Sequence, residues 1–191
     1  MRPAEKGGGT WFAHQGLAHD ALPQETQDHW SRLASVNSAS GVVHPLVHRH
    51  PVSGQACIWL HLGMTGAVVE VLPGAGGARL LDADALKTLC HTYNDILNAG
   101  LQGGYATAYE YRENDCVFID NLAVAHRAAP EAHMPAEDQG LRIMHRSTVR
   151  GTRDLVPDNG LPAALDIDGP SPFGDGVWQG GGVGFRWEEG I

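Results

Sequence analysis

Apolar side chains recur at steps of three and four residues in one long stretch of the chain, residues 82–99. This period is typical of a helix with one buried face. Asp82 is a candidate N-cap, because its carboxylate can accept a hydrogen bond from a free backbone N–H group, and residues 98–100, Asn-Ala-Gly, are predicted to end the helix. We expect the whole stripe to lie in the core, with Cys90 as a small buried hydrophobe rather than a nucleophile. The stripe consists of Leu86, Leu89, Cys90, Tyr93, Ile96 and Leu97.

Two shorter helices are predicted nearer the N-terminus. Residues 11–20 form a weak helical pattern in which Phe12 and Leu17 face the core. A second helix is predicted to begin at Pro23, because proline suits the first helical position. Apolar residues at helical spacing extend that pattern to Ala34. We expect both helices to flank a sheet rather than to form a bundle.

Most of the remaining apolar runs are short and rich in Val and Ile, which predicts strands. The first two runs are joined by Pro-Val-Ser-Gly at residues 51–54, a sequence that predicts a hairpin turn. Many short strands around few helices indicate a β-rich α+β fold. The predicted strands are residues 42–50, 56–62, 105–111, 116–119, 122–126 and 142–149.

The last predicted strand carries an unexpected pair of arginines. Arg142, Met144 and Arg146 point to the same side of an extended segment. A guanidinium buried beside an apolar side chain needs an anion. His126 lies at the end of the preceding predicted strand. A histidine at a strand end beside paired arginines suggests a metal with a carboxylate ligand next to it.

The character of the chain changes near Pro157. Residues 159–191 hold nine of the 25 glycines, and their few aromatic residues cannot form a separate core. We therefore predict that residues 1–155 form one domain. Residues 156–191 are predicted to be a Gly/Pro-rich tail that is poorly ordered or draped on that domain.

Composition narrows the classes of function. A length of 191 residues allows one domain with a real core. The net charge of −9 argues against nonspecific nucleic-acid binding, which needs a basic surface. Three cysteines without CxxC spacing fit reduced thiols, so we expect a cytoplasmic protein. No apolar run approaches the length of a membrane span, and no membrane partner is expected.

Three segments, in one order along the chain, resemble a single enzyme family. The first is the run Gly-Gly-Gly-Thr that ends at Thr10, and the second is the hairpin His-Pro-Leu-Val-His-Arg-His-Pro-Val-Ser-Gly that begins at His44. The third consists of Asp120-Asn121, then His126, and then the run Arg-Ile-Met-His-Arg-Ser-Thr that begins at Arg142. Together they resemble the taurine dioxygenase (TauD/TfdA) family of Fe(II)/2-oxoglutarate-dependent dioxygenases. The resemblance implies a partial double-stranded β-helix, or jelly roll, with flanking helices.

The resemblance also implies roles for four residues. His126 would be the distal histidine ligand of iron, and Arg142 would clamp the far carboxylate of the cosubstrate 2-oxoglutarate. The Thr10 hydroxyl would also contact 2-oxoglutarate. Arg146 would face the substrate pocket, where sulfonate-using members bind the anion of their substrate. The implied protein is an oxidoreductase that hydroxylates a small organic substrate and releases succinate and CO2.

The family supplies its other two iron ligands from a His-x-Asp or His-x-Glu segment upstream of the Gly-Gly-x-Thr run. None of the eleven histidines of this chain has Asp or Glu two positions later. Because two histidines and one carboxylate normally hold this iron, we expect the C-terminal part of a dioxygenase that is inactive by itself. It would be a fragment, a partial gene product or a protein that has lost the reaction.

Two other functions stay open. A non-enzymatic β-barrel remnant could bind a small dicarboxylate or a protein partner, and the absent acidic ligand favours this alternative. A cupin-like metal-dependent isomerase or hydrolase would need His44, His48 and His50 as ligands. Packing within the hairpin is the preferred interpretation of these histidines. The sequence does not identify the substrate. It is compatible with a homo-oligomer and does not determine the oligomeric state.

Overall fold

The structure, a computed structural model, describes residues 3–74, 77–149, 151, 155 and 160–178. Strands and helices alternate along the chain in short elements. The strands are β1 (Thr10–His14), β2 (Leu33–Asn37), β3 (Val43–Pro45), β4 (Val47–Arg49), β5 (Ala56–Ile58), β6 (Thr65–Val71), β7 (Ala78–Leu80), β8 (Ala106–Tyr109) and β9 (Val124–Ala128). The helices are α1 (Gln15–Asp20), α2 (Gln24–Trp30), α3 (Ala83–Gly103) and α4 (Ala136–Gln139), with a 3-10 helix at Pro130–His133.

Antiparallel pairing arranges these strands in three sheets. The orders are β8-β1-β9, β3-β2-β6-β7 and β4-β5. The β-rich α+β class is therefore confirmed. Closure of the sheets into a jelly roll stays a prediction.

Helix α3 covers the first hydrophobic core. Leu86, Leu89, Cys90 and Tyr93 are buried, as the apolar stripe predicts. Asp82 caps the helix, because its Oδ1 accepts a hydrogen bond from the Ala85 N–H at 2.8 Å. Burial raises the pKa of the Cys90 thiol to about 11, so the thiol stays protonated at neutral pH. Within the described ranges, no helix is both long and apolar enough to cross a membrane.

The predicted end of α3 at residues 98–100 is wrong by one turn. The helix continues to Gly103 and ends at Gly104, which adopts the left-handed conformation with a φ of 78°. Gly100 serves a different purpose inside the helix. A Cβ on Gly100 would come within 2.6 Å of the Tyr105 ring, so glycine is needed there for close packing against that ring.

The two N-terminal helices begin later or end earlier than the periodicity predicts, and Leu17, which was predicted to face the core, is exposed. Residues 10–14 form β1 instead of a helix, because Thr10, Trp11 and Phe12 favour an extended chain that pairs on both sides. Helix α1 begins only after His14, whose Nδ1 accepts hydrogen bonds from the Gly16 and Leu17 N–H groups. Helix α2 ends at Trp30, and residues 33–37 form the central strand β2.

The strand predictions hold in part for the hairpin, where the first predicted strand divides into β3 and β4 and the second ends at Ile58, and they fail for two later segments. Strands β4 and β5 pair as the turn sequence predicts, whereas β3 joins the separate sheet that contains β2. Residues 116–119 form no strand, and in residues 142–149 only Ile143 has an isolated bridge. Neither segment pairs with a strand of the described sheets, and a ladder requires such a partner.

A second core lies on the sheet β3-β2-β6-β7. Its buried residues include Val36, Val43 and Val69, and apolar side chains of residues 161–178 pack against them. Backbone hydrogen bonds hold this segment, from the Val43 N–H to the Ala163 carbonyl and from the Leu165 N–H to the Gly41 carbonyl. Residues 160–178 are thus draped on the sheet. The division of the chain at residue 155 stays a prediction, and residues 179–191 lie outside the described part.

Candidate active site

The sheet β8-β1-β9 has one face that helix α3 covers. Arg127 of β9 projects to this side, with its guanidinium 4.8 Å from the centre of the Trp11 ring. The same guanidinium donates hydrogen bonds to Asn94 Oδ1 at 2.9 Å and to Asn98 Oδ1 at 2.6 Å, both on α3. These contacts fix β9 against the helix. Because neighbouring residues of a strand alternate between faces, His126 projects to the opposite side.

The opposite face carries an array of rings, and we call it the aromatic face; it is formed by Thr10, Phe12, Tyr109 and His126. In the pairing register, Thr10 lies opposite Tyr109 on β8, and Phe12 lies opposite His126 on β9. The Phe12 ring centre is 6.5 Å from that of Tyr109 and 6.2 Å from that of His126. Thr10 and His126 are diagonal neighbours across the strand pair, a relation that separates side chains by about 7–8 Å.

One end of the aromatic face gathers Thr10 and Arg142 around Tyr111. The Tyr111 hydroxyl donates a hydrogen bond to Thr10 Oγ1 at 3.0 Å. The Arg142 guanidinium lies over the Tyr111 ring, 5.6 Å from its centre. Gly8, with a φ of +77°, passes beside this arginine, and a Cβ there would lie 3.6 Å from Arg142 Cδ. A half-buried cation and a hydroxyl therefore lie next to each other, a combination that suits a carboxylate.

The other end of the aromatic face carries His126. Partial burial lowers the pKa of His126, and the charges of Arg146 and His61 lower it further. The imidazole is therefore neutral at physiological pH, which is the form that binds metals. Among the described residues, none hydrogen-bonds its ring nitrogens. Arg146 is exposed, and the effect of its charge on the pKa of His126 is what relates it to this end of the aromatic face.

The structure thus places Thr10 and His126 on one face and Arg142 against Tyr111 at the end of that face. Arg142 lies in an extended segment rather than in the predicted strand, and in that segment Arg146 is exposed. Tyr111 was not singled out by the sequence. The alternation of Tyr109 and Tyr111 at the end of β8 could have indicated that both face the same side as Thr10, but only the strand pairing shows it.

The metal-binding capacity of these residues is limited. In the part of the chain that the structure describes, no three His, Cys, Asp or Glu side chains are grouped closely enough to hold a metal ion. His126 supplies a single imidazole, whereas an iron of this kind is held by two histidines and a carboxylate. The described residues alone therefore do not fit a complete iron site.

The hairpin histidines are committed to other contacts. The His44 ring packs against Trp59 with ring centres 4.4 Å apart. Nε2 of His48 is 2.9 Å from the Leu122 carbonyl oxygen, and Nε2 of His50 is 2.9 Å from Asp120 Oδ2. Because each ring is packed or hydrogen-bonded within the chain, nothing in this geometry favours the cupin-like metal cluster.

Comparison with known proteins gives a consistent result. A family model described as taurine catabolism dioxygenase TauD, TfdA family, matches residues 1–148. The fold is similar to the crystal structure of a taurine dioxygenase from Burkholderia xenovorans, with a TM-score of 0.53, 20% sequence identity, and coverage of 67% of this chain and 42% of that chain. It is also similar to AAD-2 in complex with Mn(II) and N-oxalylglycine, with a TM-score of 0.52, 21% identity, and coverage of 68% and 53%. The chain spans about half the length of these structures.

Proposed function

Because the chain belongs to the taurine catabolism dioxygenase TauD, TfdA family, we propose that its aromatic face is the cosubstrate wall of a Fe(II)/2-oxoglutarate-dependent dioxygenase. Such an enzyme hydroxylates a small organic substrate and converts 2-oxoglutarate to succinate and CO2. The observation that carries the proposal is the gathering of Thr10, Tyr111 and Arg142 at one end of the face that presents His126.

In this proposal Arg142 binds the distal carboxylate of 2-oxoglutarate. A guanidinium offers two parallel N–H groups to a carboxylate and holds it more specifically than an ammonium does. Thr10 Oγ1 already accepts a hydrogen bond from the Tyr111 hydroxyl. The hydrogen of the Thr10 hydroxyl is therefore free to be donated to the cosubstrate. Tyr111 therefore supports both residues, one through its hydroxyl and one through its ring.

Arg146 is proposed to face the substrate. The supporting observation is that the charge of Arg146 lowers the pKa of His126, the residue near which the reacting carbon of a substrate would approach. A cation at this position favours a substrate with an anionic group, such as a sulfonate or a carboxylate. In the chain joined to an upstream family segment that carries His-x-Asp, we expect Arg146→Ala to weaken the use of an anionic substrate while decarboxylation of 2-oxoglutarate without substrate continues.

His126 is proposed to supply one of the three iron ligands, and the other two would have to come from outside the described residues. We therefore propose that the 191-residue chain binds Fe(II) weakly and turns over no 2-oxoglutarate by itself. The iron supplies the redox chemistry of the family reaction, and the residues of this chain bind and orient the cosubstrate.

The test is calorimetric titration of the chain with 2-oxoglutarate and with its analogue N-oxalylglycine. We expect saturable binding of both. Arg142→Gln should weaken the affinity for both dicarboxylates about 30-fold. This value is the lower end of the range for loss of a buried charged partner, because Arg142 is only half-buried.

Arg49→Gln is the matched control, because Arg49 is exposed and, among the described residues, donates only to the Gly54 carbonyl in the β4–β5 hairpin. Its affinity should equal that of the unaltered chain. The proposal fails if neither dicarboxylate binds, or if the two arginine variants lose affinity equally.

A non-enzymatic dicarboxylate-binding remnant is the second candidate, since the described residues group no three metal ligands. The two candidates differ when the chain is joined to an upstream family segment that carries His-x-Asp. An enzyme part should then gain Fe(II) binding and turnover of 2-oxoglutarate, and His126→Ala should remove both. A remnant should bind the dicarboxylate and gain neither.

A further inference from the structure

The turn before β9 is held by the hairpin β4–β5, which lies about 70 residues earlier in the sequence. Within the turn, Asp120 Oδ1 accepts from the Leu122 N–H at 3.0 Å. The Asp120 carbonyl accepts from the Ala123 N–H at 3.1 Å and from the Val124 N–H at 2.9 Å. Strand β9 begins at Val124, so the position of Asp120 sets where that strand starts.

His50 contacts this turn through one ring nitrogen and its own hairpin through the other. Its Nδ1 accepts hydrogen bonds from the Val52 N–H at 3.3 Å and from the Ser53 N–H at 3.1 Å. A nitrogen that accepts two N–H groups cannot carry a proton, so the hydrogen of the neutral ring lies on Nε2. Nε2 therefore donates to Asp120 Oδ2, 2.9 Å away.

His48 of β4 binds the same turn as His50, which directly follows that strand, because residues two apart in an extended segment share a face. Its Nε2 lies 2.9 Å from the Leu122 carbonyl oxygen, which can only accept, so this nitrogen also carries the hydrogen. His48 is 5% exposed and His50 is 8% exposed. Burial lowers the pKa of His48, an effect that favours the neutral ring.

We propose that His48 and His50 are positioning residues that act together as a histidine clamp on the turn formed by residues 120–123. The clamp determines where β9 starts and thereby where the His126 imidazole lies on the aromatic face. Its relevance to catalysis rests on the proposed function, in which His126 is a metal ligand, whereas the clamp itself rests only on the hydrogen bonds. Neither histidine binds metal or substrate.

A packing role alone does not account for this arrangement. His48 Nδ1 is buried without a hydrogen-bond partner in the described part of the chain, which carries a desolvation cost that an apolar side chain would avoid. The two Nε2–H groups also reach different acceptors of one turn, a backbone carbonyl and a carboxylate. Hydrogen bonds specify a position along the strand direction, which apolar contact does not.

The test separates the two bonds of His50. His50→Asn keeps an oxygen near the position of Nδ1, which can accept from the Val52 and Ser53 N–H groups as in an Asx turn, but it no longer reaches Asp120. His50→Gln places an N–H donor near the position of Nε2 and should restore the bond to Asp120. His44→Asn is the matched control, because His44 stacks on Trp59 instead of holding the turn.

Two measurements on the full chain report the result. In His50→Asn we expect amide hydrogen exchange at Ala123 and Val124 to accelerate about tenfold or more, with exchange at Val68 and Val69 in β6 unchanged. The nuclear Overhauser contact between the Phe12 and His126 rings should weaken in the same variant. His50→Gln should recover both signals, and His44→Asn should change neither.

The clamp is overturned if His50→Asn leaves Ala123 and Val124 protected, or if exchange accelerates equally in β6. Failure of His50→Gln to restore the ring contact also overturns it. These outcomes do not depend on ligand binding. If 2-oxoglutarate does not bind the unaltered chain while the exchange and ring-contact results hold, the proposed function fails and the clamp stands.

Discussion

Tyr111 contacts both residues that the proposed function assigns to 2-oxoglutarate. Its hydroxyl orients Thr10, and its ring lies beneath the Arg142 guanidinium. A cation over an aromatic ring gains about 0.5–1 kcal/mol when partly exposed. The same ring restricts where the flexible arginine side chain lies before a ligand arrives, so less conformational entropy is lost on binding.

Tyr111→Phe removes the hydroxyl and keeps the ring beneath Arg142. We expect the affinity for 2-oxoglutarate to fall about 3- to 10-fold, the effect of one neutral hydrogen bond, with little change in the unfolding midpoint. Calorimetric titration measures the affinity. Tyr105→Phe removes the same atom from a hydroxyl that donates to the Ile96 carbonyl, and it should leave affinity unchanged. Equal losses in the two variants would exclude a specific role for Tyr111.

At the scale of elements, β9 is positioned from two sides. The histidine clamp holds the turn before it, and Arg127 attaches the strand to α3 through Asn94, Asn98 and the Trp11 ring. Successive residues of β9 thus have different roles: Arg127 faces the helix and attaches the strand to it, and His126 faces the opposite side. The position of His126 therefore depends on a helix that it does not touch.

Arg127→Gln removes the cation–π contact and the two charged hydrogen bonds to α3. Because Arg127 is exposed, we expect a loss of about 1–2 kcal/mol in the free energy of unfolding. Urea unfolding measures the change. Arg49→Gln makes the same substitution at an exposed arginine with one backbone contact, and a loss of less than about 0.5 kcal/mol is expected there. A similar loss in both variants would show that β9 does not depend on the link to α3.

At the scale of the whole molecule, residues 160–178 cover the sheet that contains β2 and β6. Two glycines allow the close approach. A Cβ on Gly41 would collide with the Leu165 carbonyl oxygen, and one on Gly176 would collide with the Leu80 Cβ. The family match ends at residue 148, so this covering segment lies outside it. The second core is therefore completed by residues beyond the matched region.

Gly41→Ala tests that docking, with Gly54→Ala as its control. Both glycines have a positive φ, +68° and +72°, but no atom lies within 4 Å of a Cβ on Gly54. Both variants should lose about 1–2 kcal/mol through backbone strain. Gly41→Ala should lose a further 1–3 kcal/mol, roughly the cost of overpacking, and its Leu165 amide should exchange faster. Urea unfolding that shows equal losses would mean that residues 160–178 do not stabilise the sheet.

The local pattern of the sequence was sufficient to predict those elements that are stabilised by residues close to one another in the chain. The α3 stripe with its Asp82 cap and the β4–β5 hairpin turn depend on residues within a few positions of one another, and both were predicted. The β1 strand was not, since the pairing of Thr10–His14 with both β8 and β9 stabilises the extended conformation. Residues 142–149 were predicted as a strand from the alternation of their side chains, but they join none of the described sheets.

The candidate site shows the same division at longer range. The motifs around Thr10, His126 and Arg142 could be read from the sequence, because residue order and type identify the family. Their common face could not, because the pairing of β1 with β9 decides it. The bonds from Tyr111 to Thr10 and from His50 to Asp120 join residues separated by 101 and 70 positions. Such contacts depend on how the sheets pack, and only the tertiary structure determines them.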